Sequence, residues 1–243
     1  MEVKLIVFDK DGTLLDCDAY WQEAIRLQLK GLADRGVDED TIKWCRVSMG
    51  INADGSLDPD GPWVLASSYD EKIVLATCLY QRLGWQWDRI QELLDEVYHE
   101  LEELMCLETI SKAIPGVPEA LAALQERGYI LAVATTDNHL KAEAMLETAG
   151  ISHFFADVIG RDLVAKGKPA PDMLAMLAEK HGLMPQEVVM VGDGLPDVEM
   201  AKNFGAIPIG VLSGAGREQA LREVTGHIFP QVQSFVHWLL TQK

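Results

Sequence analysis

Two carboxylates, Asp9 and Asp11, stand two residues apart directly after an apolar run near the start of the chain. A carboxylate can act as a covalent nucleophile, and a second carboxyl group close by can protonate a leaving oxygen and later activate water. Gly12 permits a tight turn after the pair, and Thr13 adds a hydroxyl group. The segment is therefore a candidate for combined nucleophilic and acid–base catalysis.

Further polar residues follow later apolar runs, where the strands of a sheet would end. Thr135 and Thr136 follow the second run, and Lys168 lies shortly after the third. Asp193 follows the fourth run, and Asp197 stands one helical turn beyond it. Several carboxylates suit a hard cation, and Mg²⁺ held by few protein groups and a substrate phosphate is the usual result. These residues predict a magnesium site.

A formal charge count supports the metal ion. Asp9, Asp193, Asp197 and a dianionic phosphate would bring together roughly five negative charges, and two unit charges about 4 Å apart repel by about 4 kcal/mol at an effective dielectric constant near 20. Mg²⁺ and Lys168 would offset about three of these charges. We therefore expect an anionic phosphate to bind only with both the metal ion and the lysine present.

Five nearly continuous apolar runs are typical of strands that are buried on both faces, as in a parallel sheet. They are Val3 to Phe8, Ile130 to Ala134, Phe155 to Ile159, Val188 to Val191 and Ala206 to Leu212. Helical patterns alternate with the later runs: Pro118 to Arg127, Asn138 to Ala149, Asp172 to His181 and Pro196 to Phe204. The alternation predicts an α/β fold with a doubly wound, Rossmann-like parallel sheet. Ligands of such sheets bind at the carboxyl ends of the strands.

Residues 16–112 interrupt this alternation with helical patterns alone. One helical face carries Trp21, Ile25, Leu29 and Leu32, and a later amphipathic face carries Ile90, Leu93, Leu94, Val97, Leu101 and Leu104. Ser68 and Glu71 have the spacing of a capping box, and residues 50–67 form a long polar stretch. The predicted domains are an α/β core of residues 1–15 and 113–243, and an inserted all-α cap of residues 16–112.

The composition restricts the partners and the compartment. The formal net charge of −17 argues against DNA, RNA or an anionic membrane as the main partner, because Lys and Arg hold phosphate backbones. No apolar run is long enough to cross a bilayer, and charged residues appear too early for a signal peptide. The four cysteines form no Cys-x-x-Cys pair. We expect a cytoplasmic protein with free thiols and no nucleic-acid or membrane partner.

The motifs and their order resemble those of the haloacid dehalogenase superfamily, in its phosphatase branch. The segments that carry the resemblance are Asp9-Lys10-Asp11-Gly12-Thr13, Thr135 after the second apolar run, Lys168-Pro169, and Gly192-Asp193-Gly194-Leu195-Pro196-Asp197. They span the whole predicted core. The helical insertion after the first motif resembles the helical C1-type cap of phosphoglycolate phosphatase-like members.

The resemblance implies a role for each motif residue. Asp9 is the nucleophile that forms an aspartyl-phosphate, Asp11 is the general acid/base, and Thr135 and Lys168 hold phosphoryl oxygens. The metal set for Mg²⁺ is Asp9, the backbone carbonyl of Asp11, Asp193, and Asp197 as a ligand or a supporting carboxylate. The expected substrate-binding residues are Gly12, Thr13, Thr135, Thr136 and Lys168. The implied enzyme is a phosphoric monoester hydrolase, a Mg²⁺-dependent phosphatase for a small phosphoglycolate- or sugar-phosphate-like monoester.

Two positions depart from the pattern of the phosphoglycolate phosphatases. Thr136-Asp137 stands where those enzymes often carry Asn-Lys, and Lys10 stands where Leu or Met is commoner. Lys10 also makes the first motif look like the phosphorylation motif of P-type ATPases, although no membrane span accompanies it here. The departures bear on the substrate and leave the phosphatase assignment intact.

Other functions compete with this interpretation. A sugar phosphomutase uses the same four motifs, and a non-catalytic relative could bind a phospho-ligand without turnover. A signalling receiver domain combines similar residues, but its acceptor Asp lies on a later strand and it has no helical insertion. We expect residues 16–112 to act as a lid that selects the substrate, with the polar stretch 50–67 touching the leaving group. The sequence gives no indication of the oligomeric state.

Overall fold

The computed structural model of the chain describes residues 3–16, 18–105 and 111–241. The chain divides into two compact units: an α/β unit, Met1–Cys17 with Leu107–Lys243, and a helical unit, Asp18–Cys106. No helix in the described ranges is both long enough and apolar enough to cross a membrane.

A six-stranded parallel sheet forms the centre of the α/β unit. The strands of the described residues, including two outside this sheet, are β1 (Leu5–Phe8), β2 (Leu15–Asp16), β3 (Lys112–Ala113), β4 (Ile130–Ala134), β5 (Asp157–Ile159), β6 (Val188–Gly192), β7 (Ile207–Val211) and β8 (Ile228–Phe229). The sheet runs in the order β5-β4-β1-β6-β7-β8, and β2 and β3 form a separate antiparallel pair. All neighbours in the large sheet are parallel. The fold is therefore the expected Rossmann-like α/β architecture.

The central strand β1 is buried on both faces. Its four residues, Leu5 to Phe8, are fully inaccessible to solvent, and burial of each such side chain contributes roughly 1.5–3 kcal/mol. Leu5 and Val7 belong to the core that two helices of the α/β unit close, and Ile6 and Phe8 point to the other face. Burial on both faces explains why the strand reads as a continuous apolar run.

Eleven α-helices are seen in the described ranges. Those of the helical unit are α1 (Asp18–Asp34), α2 (Glu39–Ser48), α3 (Pro62–Leu65), α4 (Ser68–Leu83) and α5 (Trp87–Leu104). Those of the α/β unit are α6 (Val117–Glu126), α7 (His139–Thr148), α8 (Asp172–His181), α9 (Leu195–Phe204), α10 (Glu218–Val224) and α11 (Val232–Thr241). Short 3₁₀ turns cover Ser152–Phe154, Arg161–Leu163 and Pro185–Glu187.

The helical unit has its own hydrophobic core. The apolar faces of α1, α2, α4 and α5 meet there, with Leu32, Cys45, Leu79 and Leu94 among the most buried side chains. Gly31 lets α1 approach α5, because a Cβ at that position would lie 3.2 Å from Val97. The two helical faces predicted from the sequence, Trp21 to Leu32 and Ile90 to Leu104, therefore lie in α1 and α5.

One detail of helix capping differs from the sequence prediction. Ser67, not Ser68, caps α4, because its hydroxyl accepts the main-chain N–H of Asp70 at 3.3 Å. Asp172 is the first residue of α8, and its carboxylate accepts the main-chain N–H of Lys166 at 3.0 Å. The predicted cap of α4 was wrong by a single position, since Ser67 and Ser68 are adjacent and of the same type.

Candidate active site

The site lies where the strand order reverses, at the carboxyl ends of β1 and its neighbours β4 and β6. Asp9 follows β1 and Asp193 follows β6, and the two strands pair in parallel from Leu5 with Val188 to Phe8 with Val191. The main-chain N–H of Asp9 continues this ladder to the carbonyl of Val191 at 2.8 Å. The backbone thus sets the two carboxylates side by side, at the usual ligand position of a doubly wound sheet.

Three buried carboxylates form one acidic cluster. Oxygen atoms of Asp9, Asp193 and Asp197 lie within 4.8 Å of one another. Asp197 joins the cluster from the first turn of α9, and its Oδ2 accepts the main-chain N–H of Gly194 at 3.0 Å. Water cannot screen these charges well at such burial, so the cluster requires positive charge from elsewhere.

Lys168 supplies part of that positive charge. Its ammonium group lies 2.5 Å from Asp9 Oδ1 and 2.6 Å from Asp197 Oδ1, and its side chain is only 2% exposed. The pair of contacts crosses from the loop before α8 to both β1 and α9. With three carboxylates and one ammonium, the formal charge of the cluster is −2, which matches one divalent cation.

The pKa values reflect this imbalance. Burial, strengthened by the neighbouring carboxylate of Asp197, raises the pKa of Asp193 to about 7. Burial also holds the pKa of Asp9 well above its usual value, although Lys168 opposes the rise. Burial disfavours the charge on Lys168, but Asp197 and Asp9 outweigh this and keep its pKa above the ordinary lysine value. Without a further cation, the cluster therefore retains protons near neutral pH.

Glycines and one threonine hold Asp193 in place. The Thr13 hydroxyl donates to Asp193 Oδ1 at 3.1 Å and is fully buried. A Cβ atom at Gly214 would overlap the Asp193 carboxylate, and one at Gly12, whose φ is +74°, would lie 2.8 Å from Asp193 Oδ2. Ser213 donates to the carbonyl of Gly12 at 2.7 Å, so the loop after β7 is fastened to the turn after Asp9.

Asp11 belongs to a second ion network. Its carboxylate pairs with the ammonium of Lys10, which also lies 3.1 Å from Asp137 Oδ2. Lys141 reaches the other oxygen of Asp137 at 3.1 Å. Burial would raise the pKa of Asp137, but Lys10 and Lys141 lower it to about 2. Two carboxylates face two ammonium groups here, so this network is formally neutral, unlike the acidic cluster.

The threonines expected to bind substrate lie in different surroundings. Thr135 is buried directly after β4, and its Oγ1 accepts the main-chain N–H of Asp137 at 3.1 Å. Because the Thr135 oxygen is the acceptor in that bond, its hydroxyl group can still donate to another group. Thr136 is exposed on the loop. The structure thus brings Thr135 and Gly12 to the same sheet edge as Asp9, while Thr13 contacts Asp193.

The acidic cluster fits a divalent cation. Its donors are carboxylate oxygens, which Mg²⁺ prefers, and its formal charge of −2 equals the charge that such an ion carries. At Gly12 and Gly214, the side chain of any larger residue would collide with the Asp193 carboxylate. Asp9, Asp193 and Asp197 are therefore the described residues that together could hold a metal ion.

Some residues of the site were not singled out by sequence reasoning. Lys141 and Ser213 had no assigned part, and Lys10 and Asp137 were noted only as departures from a pattern. The contact between Lys10 and Asp137 links positions 127 residues apart, so no local pattern reveals it. A signal was present all the same: a charged residue inside a motif that ends a buried strand needs a partner.

Known proteins resemble the chain in sequence and in fold. A family model described as hydrolase, haloacid dehalogenase-like hydrolase, matches residues 3–205. A phosphoglycolate phosphatase of Vibrio cholerae is 32% identical over 212 residues, which cover 87% of this chain and 85% of the relative. A protein of Dickeya dadantii named probable phosphatase IndB is 30% identical over 240 residues, which cover 97% and 94%.

The fold comparison agrees with the sequence comparison. The crystal structure of a predicted phosphoglycolate phosphatase from Haemophilus somnus matches with a TM-score of 0.75 at 23% identity, and covers 98% of this chain and 99% of that one. At this identity the match shows a shared fold. The family model and the curated relatives supply the assignment: the chain belongs to the haloacid dehalogenase-like hydrolases, among the phosphatases of that family.

Proposed function

We propose that the chain is a Mg²⁺-dependent phosphatase that hydrolyses a small organic phosphate monoester, phosphoglycolate- or sugar-phosphate-like, through an aspartyl-phosphate on Asp9. The observation that carries the proposal is the acidic cluster of charge −2, in which Asp9 contacts Lys168 beside Asp193 and Asp197. The names of the curated relatives support the substrate class.

The chemistry divides between Asp9 and Asp11. A carboxylate oxygen of Asp9 attacks the phosphorus atom, the bond from phosphorus to the ester oxygen breaks, and that oxygen takes a proton from Asp11. Asp11, now a carboxylate, accepts a proton from water as the water oxygen attacks the phosphoaspartate. Phosphate leaves and Asp9 is regenerated. Thr135 and Lys168 donate to the phosphoryl oxygens in both steps.

Mg²⁺ would be held by Asp9, Asp193 and the backbone carbonyl of Asp11. Both oxygens of Asp197 already have partners, Lys168 and the N–H of Gly194, so we assign Asp197 to support the cluster. When bound, the ion supplies positive charge that lowers the repulsion between these carboxylates and an anionic phosphate.

A substrate screen tests the proposal. Purified protein would be incubated with a panel of phosphate monoesters, with Mg²⁺ and with excess chelator, and released phosphate would be measured. We expect release from small esters and an aryl phosphate only with Mg²⁺. Isomerisation of a sugar phosphate without net phosphate release would identify a phosphomutase instead, and turnover that persists in chelator would refute the metal requirement.

Binding of Mg²⁺ should release a proton at pH 6 and much less at pH 8.5. The reason is the raised pKa of Asp193, about 7 because of burial and Asp197, which keeps a proton on the cluster below neutral pH. Mg²⁺ requires the carboxylate form, so its affinity should fall as the pH decreases, by about tenfold per unit below pH 7. Calorimetry in two buffers of different ionisation enthalpy counts the protons. Equal proton release at both pH values would contradict the assignment, and Asp193→Asn is the matched control.

Asp11→Asn should slow both steps, with an unequal effect on substrates. An aryl phosphate has a good leaving group and needs little protonation, so phosphoenzyme should accumulate on Asp9 because water attack has lost its base. An alkyl phosphate should lose turnover by about a hundredfold or more, in the range of general acid–base catalysis. Rapid quench followed by acid precipitation measures the phosphoenzyme. Wild-type kinetics on both substrates would remove Asp11 from the mechanism.

We propose that the helical unit selects the leaving group, since the chain enters it directly after the residues of the first motif. The segment 50–67 is compact: Asn52 donates to Ser56, Ser56 donates to Asp54, and Ser67 caps α4. Alanine at Asn52 or Asp54 should lower kcat/KM for the best natural substrate while an aryl phosphate is unaffected.

Ser67→Ala serves as the control for this segment. It removes a helix cap, so it should cost about 1 kcal/mol of stability and lower the melting temperature without changing the ratio of the two substrates. Equal kcat/KM values for both substrates in the Asn52 and Asp54 variants would move the search for specificity to the helices.

A further inference from the structure

Lys10 is a fully buried lysine in the first motif, with an exposed fraction of 0%. Its ammonium group pairs with the carboxylate of Asp11, lies 3.1 Å from Asp137 Oδ2, and lies 3.4 Å from the sulfur of Met145 in α7. A buried ammonium group is costly unless it is paired, and these contacts fix its position closely. Lys10 therefore connects the loop after β1 with the loop after β4.

The far end of this connection is firmly held. Asp137 pairs with Lys141 through its other oxygen, at 3.1 Å, and its main-chain N–H bonds to Thr135 at 3.1 Å. The carbonyl of Asp137 accepts the N–H of Arg161 at 2.9 Å. Asp137 is thus a fixed point, and Lys10 spans from it to the carboxylate of Asp11.

The carboxylate of Asp11 is more exposed than those of Asp9 and Asp197 in the acidic cluster. Its side chain is 25% exposed, whereas Asp9 and Asp197 are held by Lys168 inside the acidic cluster. A carboxylate that swings by about 1 Å from its reacting position can lose about a hundredfold in rate. A carboxylate without its own cation could also turn toward a divalent ion. The contact with Lys10 opposes both movements.

We propose that Lys10 is a positioning residue for the reaction, which holds the carboxyl group of Asp11 ready for proton transfer and apart from the acidic cluster. The proposal rests on the proposed function, because it takes Asp11 as the acid/base. It also gives the two departures from the phosphoglycolate phosphatase pattern a common explanation, since Lys10 and Asp137 are in direct contact. A lysine and an aspartate replace the apolar residue and the lysine that are commoner there.

Two variants of Lys10 test the proposal with a readout that depends on the leaving group. Lys10→Met removes the ammonium group while keeping a side chain of nearly the same length. Lys10→Gln keeps a hydrogen-bond donor, and it is the decisive variant if the methionine variant does not fold. We expect kcat/KM for an alkyl phosphate, which reports the phosphorylation step, to fall by about tenfold to a hundredfold. The value for 4-nitrophenyl phosphate should fall much less, and phosphoenzyme should accumulate with that substrate. The pattern should be a weaker form of that of Asp11→Asn.

Lys180→Met is the control, because Lys180 pairs with the carboxylate of the half-buried Asp157 at the amino end of β5. It should retain the activity and the leaving-group dependence of the wild type. The proposal would be overturned if kcat/KM fell equally for both phosphates in the folded Lys10 variants, or did not fall for either. The wild type and Asp9→Asn, measured in the same assay, distinguish a failure of this proposal from a failure of the proposed function. If Mg²⁺-dependent turnover is lost in Asp9→Asn but the Lys10 variants behave as the wild type, only the role of Lys10 is refuted.

Discussion

Asp9→Asn is expected to reduce turnover by about a thousandfold or more while the metal-free protein melts at the same temperature as the wild type or higher. Asparagine has the same shape and can still accept a hydrogen bond from Lys168, but its amide is a poor nucleophile. Burial, together with Asp197 and Asp193, raises the pKa of Asp9, so the ionised form destabilises the fold at pH 8. The amide removes that cost.

The two readouts together make this prediction specific. Steady-state kinetics with an aryl phosphate gives the activity, and thermal unfolding at pH 8 with and without Mg²⁺ gives the stability. Asp157→Asn is the control, because the half-buried Asp157 pairs with Lys180 and His181 far from the site. That variant should lose stability and keep activity. Retained turnover in Asp9→Asn would exclude Asp9 as the nucleophile. A large fall in the melting temperature of this variant would contradict the destabilising effect of the ionised carboxylate.

Lys168→Met should lose both activity and stability, and the loss of stability should depend on pH. The change leaves Asp9, Asp193 and Asp197 without their ammonium partner. Turnover should fall by about a hundredfold or more, because Lys168 is the proposed donor to the phosphoryl group. Breaking a buried ion pair from one side costs about 3–5 kcal/mol, which lowers the melting temperature by roughly 10 °C in a chain of this size.

The sign of the pH dependence follows from the direction of the pKa shifts. Removing Lys168 raises the pKa values of Asp9 and Asp193 further above those of the unfolded chain, because the lysine opposes both shifts. The folded state then binds more protons than the unfolded state, so stability falls as the pH rises from about 4 through the raised values. The difference from wild type should be small at pH 5 and largest at pH 8.

Lys166→Met is the matched control for this experiment. Lys166 lies two residues away and is exposed, so its replacement should leave both the melting temperature and the turnover near those of the wild type. A Lys168→Met protein with a melting temperature that falls equally at pH 5 and pH 8 would contradict the charge account of the cluster.

The parts of the fold that were predictable are those with a strong periodic signal. Strands β1, β4 and β6 are apolar throughout because helices cover both faces, and a run such as Leu5 to Phe8 shows this without any knowledge of its neighbours. Strands β2, β3 and β8 have two residues each, which is too short for any period. Their pairing depends on the rest of the sheet, so the sequence did not reveal them.

The candidate site divides in the same way. The convergence of Asp9, Thr135 and Asp193 was predictable, because they follow strands whose carboxyl ends meet at one edge. The orientation of a side chain was not. Thr13 looked like a substrate-binding hydroxyl, yet it is buried against Asp193, since the turn after Asp9 directs it toward the neighbouring strand. The Lys10 network depends on a contact with the next strand's loop, which only the folded chain displays.

The short pairing of β2 with β3 brings the two ends of the insertion together. Asp16 faces Lys112 across this antiparallel pair, and facing Cα atoms in such pairs are about 4.5–5.5 Å apart. A two-residue turn spans that gap. For the pairing of β2 with β3, the helical unit thus takes the place of a hairpin turn, whatever its length. The insertion can therefore vary in length without shifting the register of a single strand.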